Sequence, residues 1–156
     1  MSGASRARAV ALLVPAVALA GAYGFQVLDH LPPCEMCWWE RYAHFAALAL
    51  ALASFILPPK RLWVILAGLA LVTAAGVAGY HAGIEYGWWQ GMTECTSTVD
   101  LTHSKDPLAA IMSAPLVRCD VAPWSLFGIS LAGFDFLWSA IGAIGVFSLL
   151  AWKRSA

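Results

Sequence analysis

Four long apolar stretches dominate the chain, Ala9–Leu28, Tyr42–Leu57, Leu62–Ile84 and Leu126–Trp152, and Asp135 is the single charge among them. An α-helix rises 1.5 Å per residue, so about 20 residues cross a hydrocarbon core about 30 Å thick. The first and third stretches have that length. The second is short and borrows its flanks, Arg41 at one end and Pro58-Pro59 at the other. The fourth is too long for one straight span, which predicts an interfacial segment over Trp124–Ser130 before the crossing proper. A soluble domain of 156 residues has no room to hide a hydrophobic share of 61% behind 12% charged residues. Disorder requires the opposite composition. Small residues such as Gly68, Gly76, Gly79, Gly142 and Gly145 recur in the stretches and let helices approach closely in lipid. The expected fold is all-α: one membrane four-helix bundle with spans at about 9–28, 41–58, 62–84 and 131–152.

The charges orient this bundle. Arg6, Arg8, Lys60, Arg61, Lys153 and Arg154 fall in the N-terminal tail, the 58–61 turn and the C-terminal tail, where no acidic residue occurs. Positive-inside logic makes those segments cytoplasmic, both termini included. Two outward loops follow, at about 29–40 and 85–125, and they hold eight of the nine carboxylates. Arg6-Ala-Arg8, an apolar core and Ala18-Leu-Ala20 also have the look of a cleavable secretory signal. The uncharged run continues to Leu28, full spanning length, which favours a retained helix. Residues 29–41 emerge outside on either reading.

All four cysteines, Cys34, Cys37, Cys95 and Cys119, lie in the outward loops. In an oxidising compartment an even set of loop cysteines points to disulfides, and spacing suggests Cys34 with Cys37 and Cys95 with Cys119. Four cysteines allow three connectivities, and sequence alone does not choose. Pro32-Pro33 keeps the chain extended before Cys34-Glu-Met-Cys37, so a helix is expected to start near Cys34. A thiol at a helix N-terminus sees free N–H groups and the positive dipole end, which favour the reactive thiolate. On a regular helix Cys37 and Arg41 share a face, with His44 and Phe45 one turn further. That places a permanent positive charge beside a redox dithiol at the membrane surface.

Other chemistries fit less well. Cys95 and Cys119 are 24 apart and have no partners at C-x-x-C spacing, which argues against a zinc finger and leaves no metal expected. Trp38 follows Cys37 where covalent haem needs histidine. A non-catalytic membrane subunit braced by structural disulfides remains the competing class, but it does not explain a C-x-x-C beside Arg41.

The run Pro33-Cys34-Glu-Met-Cys37-Trp-Trp-Glu40-Arg41-Tyr42 resembles the disulfide bond formation protein B (DsbB) family, shorter-loop bacterial type. Gly79-Tyr-His81-Ala-Gly-Ile-Glu85, and Arg118-Cys119-Asp120 through Trp124 to Gly128-Ile-Ser-Leu-Ala132, extend the likeness. Vitamin K epoxide reductases share the spans and the quinone chemistry but place their C-x-x-C after the loop cysteines. The resemblance implies a bacterial inner-membrane thiol:quinone oxidoreductase that reoxidises a periplasmic DsbA-like protein of thioredoxin fold. Such a partner sits near −120 mV, and an ordinary structural disulfide below about −300 mV cannot oxidise it without a stronger acceptor, about 8 kcal/mol uphill for two electrons. The implied acceptor is a quinone, ubiquinone ahead of menaquinone, with Arg41 and His81 as candidate quinone contacts. The implied order runs from the partner to Cys95, then Cys119 to Cys34, leaving Cys37 as a thiolate facing the ring. No nucleic acid is expected.

The remaining residues have plainer readings. His81 and Glu85 are four apart and suited to pair on one face. Trp38, Trp39, Trp88, Trp89 and Trp124 read as an interfacial belt. Pro107–Met112 has the pattern of a short surface helix. Asp135 departs from the family pattern, in which an uncharged polar residue is usual, and is expected at the outer end of the fourth span.

Overall fold

The computed structural model describes residues 3–92 and 117–152. Four helices make up the bundle: α1 (Gly3–Leu28), α2 (Glu35–Ile56), α3 (Lys60–Glu85) and α4 (Leu131–Ala151). α1, α3 and α4 are long and apolar enough to cross a membrane. α2 has 22 residues, but its first turns carry Glu35, Glu40, Arg41 and His44, which lower its mean hydropathy. α2 packs along α3, α3 along α4, and α1 closes the ring against α2 and α4.

Alanine dominates the half of the core that adjoins the 58–61 turn. Ala7, Ala11, Ala47, Ala51 and Ala67 are fully buried there with Leu71 and Val146. Helices with so little side chain between them approach until backbone meets side chain. At Gly142 of α4 an added Cβ would lie 2.6 Å from a methyl of Val14 in α1, so glycine is required at that crossing.

The expected interfacial segment over Trp124–Ser130 is a hairpin, which the apolar sequence does not announce. β1 (Ser125–Leu126) pairs antiparallel with β2 (Ile129–Ser130). Its two turn residues, Phe127 and Gly128, have φ of 52° and 79°. That is the backbone of a primed turn, whose twist matches the strands. The hydroxyl of Tyr86, just past α3, accepts from Ser130 N–H at 2.9 Å and donates to Gly128 O at 3.2 Å. Ser130 then caps α4 by accepting from Gly133 N–H at 3.1 Å. The expected helix over Pro107–Met112 lies outside the described residues.

Replacing Gly142 with leucine should force α1 and α4 apart. An overpacking cost of about 1–3 kcal/mol is expected, read as a lower thermal unfolding midpoint of the purified protein in detergent. An unchanged midpoint would mean that the two helices do not meet there.

Candidate functional site

Pro32 and Pro33 lead the chain extended into Cys34, whose φ of −76° and ψ of 176° make it the N-cap of α2. Its Sγ accepts from the Cys37 backbone N–H at 3.2 Å, a bond usually made by serine or aspartate. The sulfurs of Cys34 and Cys37, both free thiols, lie 2.8 Å apart. The Cys34 thiol is held below its ordinary value, first by the hydrogen bond from the Cys37 side chain, then by backbone N–H groups, against the opposing effect of burial. The N–H groups of the helix terminus add to that lowering, after the Cys37 side chain.

Two cavities flank the C-x-x-C. The larger, about 380 Å³, opens between α1, α2 and α4 and is lined by Cys37, Glu40, Arg41, His44, Asp135 and Trp138 among mostly apolar neighbours. The smaller, about 40 Å³, lies towards α3 and is lined by Cys34, His81, Glu85 and Arg118, with Cys37 and Glu40 again in its wall. Cys119 is disulfide-bonded and fully buried, in one cluster with Cys34, Met36 and Ile84. Cys95 lies outside the described residues.

Arg41 is 5% exposed and reaches α1, donating to Gln26 Oε1 at 2.7 Å and to Ala22 O at 3.2 Å. Its guanidinium sits over the rings of Tyr23 at 4.6 Å and Trp38 at 5.0 Å. Its Nε has no hydrogen-bond partner, and among the described residues no carboxylate lies within ion-pair distance. A buried cation without a counter-charge beside an apolar cavity attracts an electron-rich oxygen.

His81 does not line the larger cavity. Its Nε2 is 3.6 Å from Cys34 Sγ, and its Nδ1 bonds Glu40 Oε1 at 2.7 Å. The expected pairing with Glu85 is the weaker contact, 3.9 Å from Nε2, because α2 brings Glu40 closer than the helix's own next turn. Glu40, counted by sequence among outward carboxylates, is buried. Its spacing was the available signal, since position i+3 from Cys37 falls on the same helix face. Asp135 lies near the start of α4, the end expected for it, but its side chain turns inward. It sits in the second turn of α4 and accepts from His44 Nε2 at 2.8 Å, inside the bundle. Phe45 turns away from the site, exposed beside Tyr23.

The two thiols and the His81 ring also bring three donor atoms within 4.8 Å of one another, a set suited to a soft metal ion. Sequence spacing could not show this, because only the fold delivers His81 to the pair.

The apolar helical bundle, the C-x-x-C that caps one of its helices and a disulfide-bonded cysteine in the same buried cluster define a membrane protein of the thiol–disulfide class. Over residues 4–150 the chain matches the family described as disulfide bond formation protein DsbB, and it belongs to that family. It is 27% identical to the disulfide bond formation protein B of Marinobacter nauticus, covering 88% of this chain and 87% of that one. It is 28% identical to that of Aromatoleum aromaticum, over 86% and 87%. It is 27% identical to that of Alkalilimnicola ehrlichii, over 94% of each. No solved structure matches it.

A lowered thiol keeps its reactive thiolate at a pH where an ordinary cysteine is protonated. Cys37→Ala removes the largest cause of that lowering, so the pH midpoint for alkylation of reduced Cys34 should move upward. The rate of reaction with a small uncharged alkylating agent, followed from pH 5 to 10, measures it. A midpoint that stays in place rules out Cys37 as the cause.

Proposed function

We propose that this protein is a membrane thiol:quinone oxidoreductase of the bacterial inner membrane, with both termini cytoplasmic, which reoxidises a periplasmic DsbA-like dithiol protein. The observation that carries this reading is the position of the C-x-x-C between two different environments. Cys34 shares a buried cluster with the disulfide-bonded Cys119, the route from a soluble partner. Cys37 shares an apolar cavity with Arg41.

The exchange sequence follows from thiolate attack on disulfide sulfur. The partner's thiolate attacks Cys95 and releases Cys119. Cys119 attacks Cys34, breaking its bond to Cys37 and freeing a Cys37 thiolate. The partner's second thiol displaces Cys95, which closes again on Cys119 and leaves Cys34 and Cys37 as a dithiol. His81, with Nε2 beside Cys34 Sγ and Nδ1 held by Glu40, accepts the Cys34 proton and steadies its thiolate.

The larger cavity suits a quinone ring. Its volume falls within the usual range for small-molecule sites, its wall is mainly apolar, and Arg41 Nε is a buried donor without a partner. Cys37, Arg41 and the α1 and α4 walls would hold the ring, ubiquinone being favoured over menaquinone. A quinone bound there supplies a two-electron, two-proton acceptor. Arg41 contributes a fixed charge where negative charge gathers on an oxygen, and α1 keeps that charge in place through Gln26 and Ala22.

Two measurements test this. Arg41→Ala should raise the KM for ubiquinone-1 about tenfold or more while leaving thiol exchange with the protein partner nearly unchanged. An unaltered KM removes Arg41 from the quinone site. In Cys95→Ser/Cys119→Ser, quinone reduction should survive with a small dithiol as donor and vanish with the protein donor. The opposite pattern would exchange the roles of the two cysteine pairs.

A further inference from the structure

The proposed exchange sequence leaves one buried polar cluster without a task. His44 of α2 meets Asp135 and Ser139 of α4. Both bonds to the aspartate fall on Oδ1, from His44 Nε2 at 2.8 Å and from Ser139 Oγ at 3.3 Å. The His44 side chain is 3% exposed and that of Asp135 17%. The second ring nitrogen of His44, Nδ1, has no partner. Both residues line the larger cavity beside Arg41 and Cys37. An ionisable pair inside a membrane bundle is costly, and one that lines a cavity is a functional-site candidate as well as a helix contact. Its position therefore calls for a chemical role.

The chemistry of the cavity leaves such a role open. Closing the Cys34–Cys37 bond releases two electrons and two thiol protons. The two carbonyls of a quinone take up two electrons and two protons in becoming hydroxyls, so dithiol plus quinone balances disulfide plus quinol. Sulfur delivers the electrons, but oxygen also needs a proton source within reach. Arg41 is no such source, since its guanidinium stays charged. We propose that His44 and Asp135 form the proton-donating pair of this cavity. Asp135 touches the ring oxygen and gives the proton, and His44 positions Asp135 and returns a proton to it. Resupply has a short path. Glu40 lies one helical turn before His44 on α2, lines both cavities, and is bonded to His81 next to Cys34. One of the two thiol protons thereby refills the pair. The inference rests on the quinone reading above and adds to it the two residues that carry the proton.

The test uses the full-length protein in lipid nanodiscs, with ubiquinone-1 as the probe. Binding is read from quenching of tryptophan fluorescence, to which Trp138 in the cavity wall contributes. Histidine ring nitrogens are followed by NMR in the quinone-free protein before and after the probe is added, and His44→Leu identifies the His44 signals. On the proposal, the His44 signals shift with ubiquinone-1 and stay still with an isoprenoid alcohol that lacks the ring. In Asp135→Asn the dissociation constant stays within about threefold, whereas single-turnover oxidation of the reduced C-x-x-C slows by about 100-fold, the scale of one general acid. Should Asp135→Asn fail to fold, His44→Leu/Asp135→Leu carries the test, since it leaves no lone buried charge and should match the thermal stability of the parent. Normal turnover in either variant, or His44 signals indifferent to a probe that demonstrably quenches, overturns the proposal and leaves the pair a structural bond. Absence of quenching in the unaltered protein overturns the quinone reading itself, and this inference with it.

Discussion

Two prolines hold residues 32 and 33 extended, a cysteine takes the N-cap of α2, and from that starting residue the rest of that end of the bundle is phased. Had α2 begun one residue later, every side chain on it would be rotated by about 100°. Cys37 and Arg41 would leave the larger cavity, and Glu40 would leave His81. The cap bond from the Cys37 N–H to Cys34 Sγ is thus both the local start of a helix and the register mark of the site.

From that register α2 presents three polar side chains, and each is bound by a different neighbour. Glu40 meets His81 of α3, Arg41 meets Gln26 and Ala22 of α1, and His44 meets Asp135 of α4. Hydrophobicity cannot tell one apolar helix from another in lipid, whereas hydrogen bonds between specific partners can. The three contacts together specify which helix stands where around α2. The opposite half, sealed by alanines and by Gly142 on Val14, supplies close packing but little distinction between neighbours. The polar residues that lower the hydropathy of α2 are those that order the bundle.

Much of this was legible in the sequence, and what escaped was of one kind. Helix positions, the start of α2 at Cys34 and the shared face of Cys37 and Arg41 follow from periodicity and capping, which are local. Spacing on one helix shows the His81–Glu85 contact but not the closer bond to Glu40 on the next helix. Asp135 lies near the start of α4, as its cost in lipid predicts, but its bond to His44, 91 positions away in the chain, leaves no local signal. The hairpin at 125–130 hid in apolar residues because its turn places Phe127, not an asparagine or glycine, in the left-handed region. Contacts between distant segments, and backbone shapes that residue type does not advertise, are what single-sequence reading lacks.

The larger cavity has an orientation with a further consequence. Its walls on α1 and α4 include Val17, Leu137, Trp138 and Ile141, all substantially exposed on the outer surface of helices that face lipid. A ligand arriving there travels within the plane of the bilayer, and its apolar tail need not leave the acyl chains when its head enters. The concentration that governs occupancy is therefore a mole fraction in the membrane, set by partitioning and by lateral diffusion in two dimensions. Apparent affinities should scale with the amount of lipid or detergent in the sample even when the protein is unchanged. A comparison of variants is meaningful at fixed lipid-to-protein ratio, and a long-tailed ligand should outcompete a short-tailed one chiefly by crowding into the membrane.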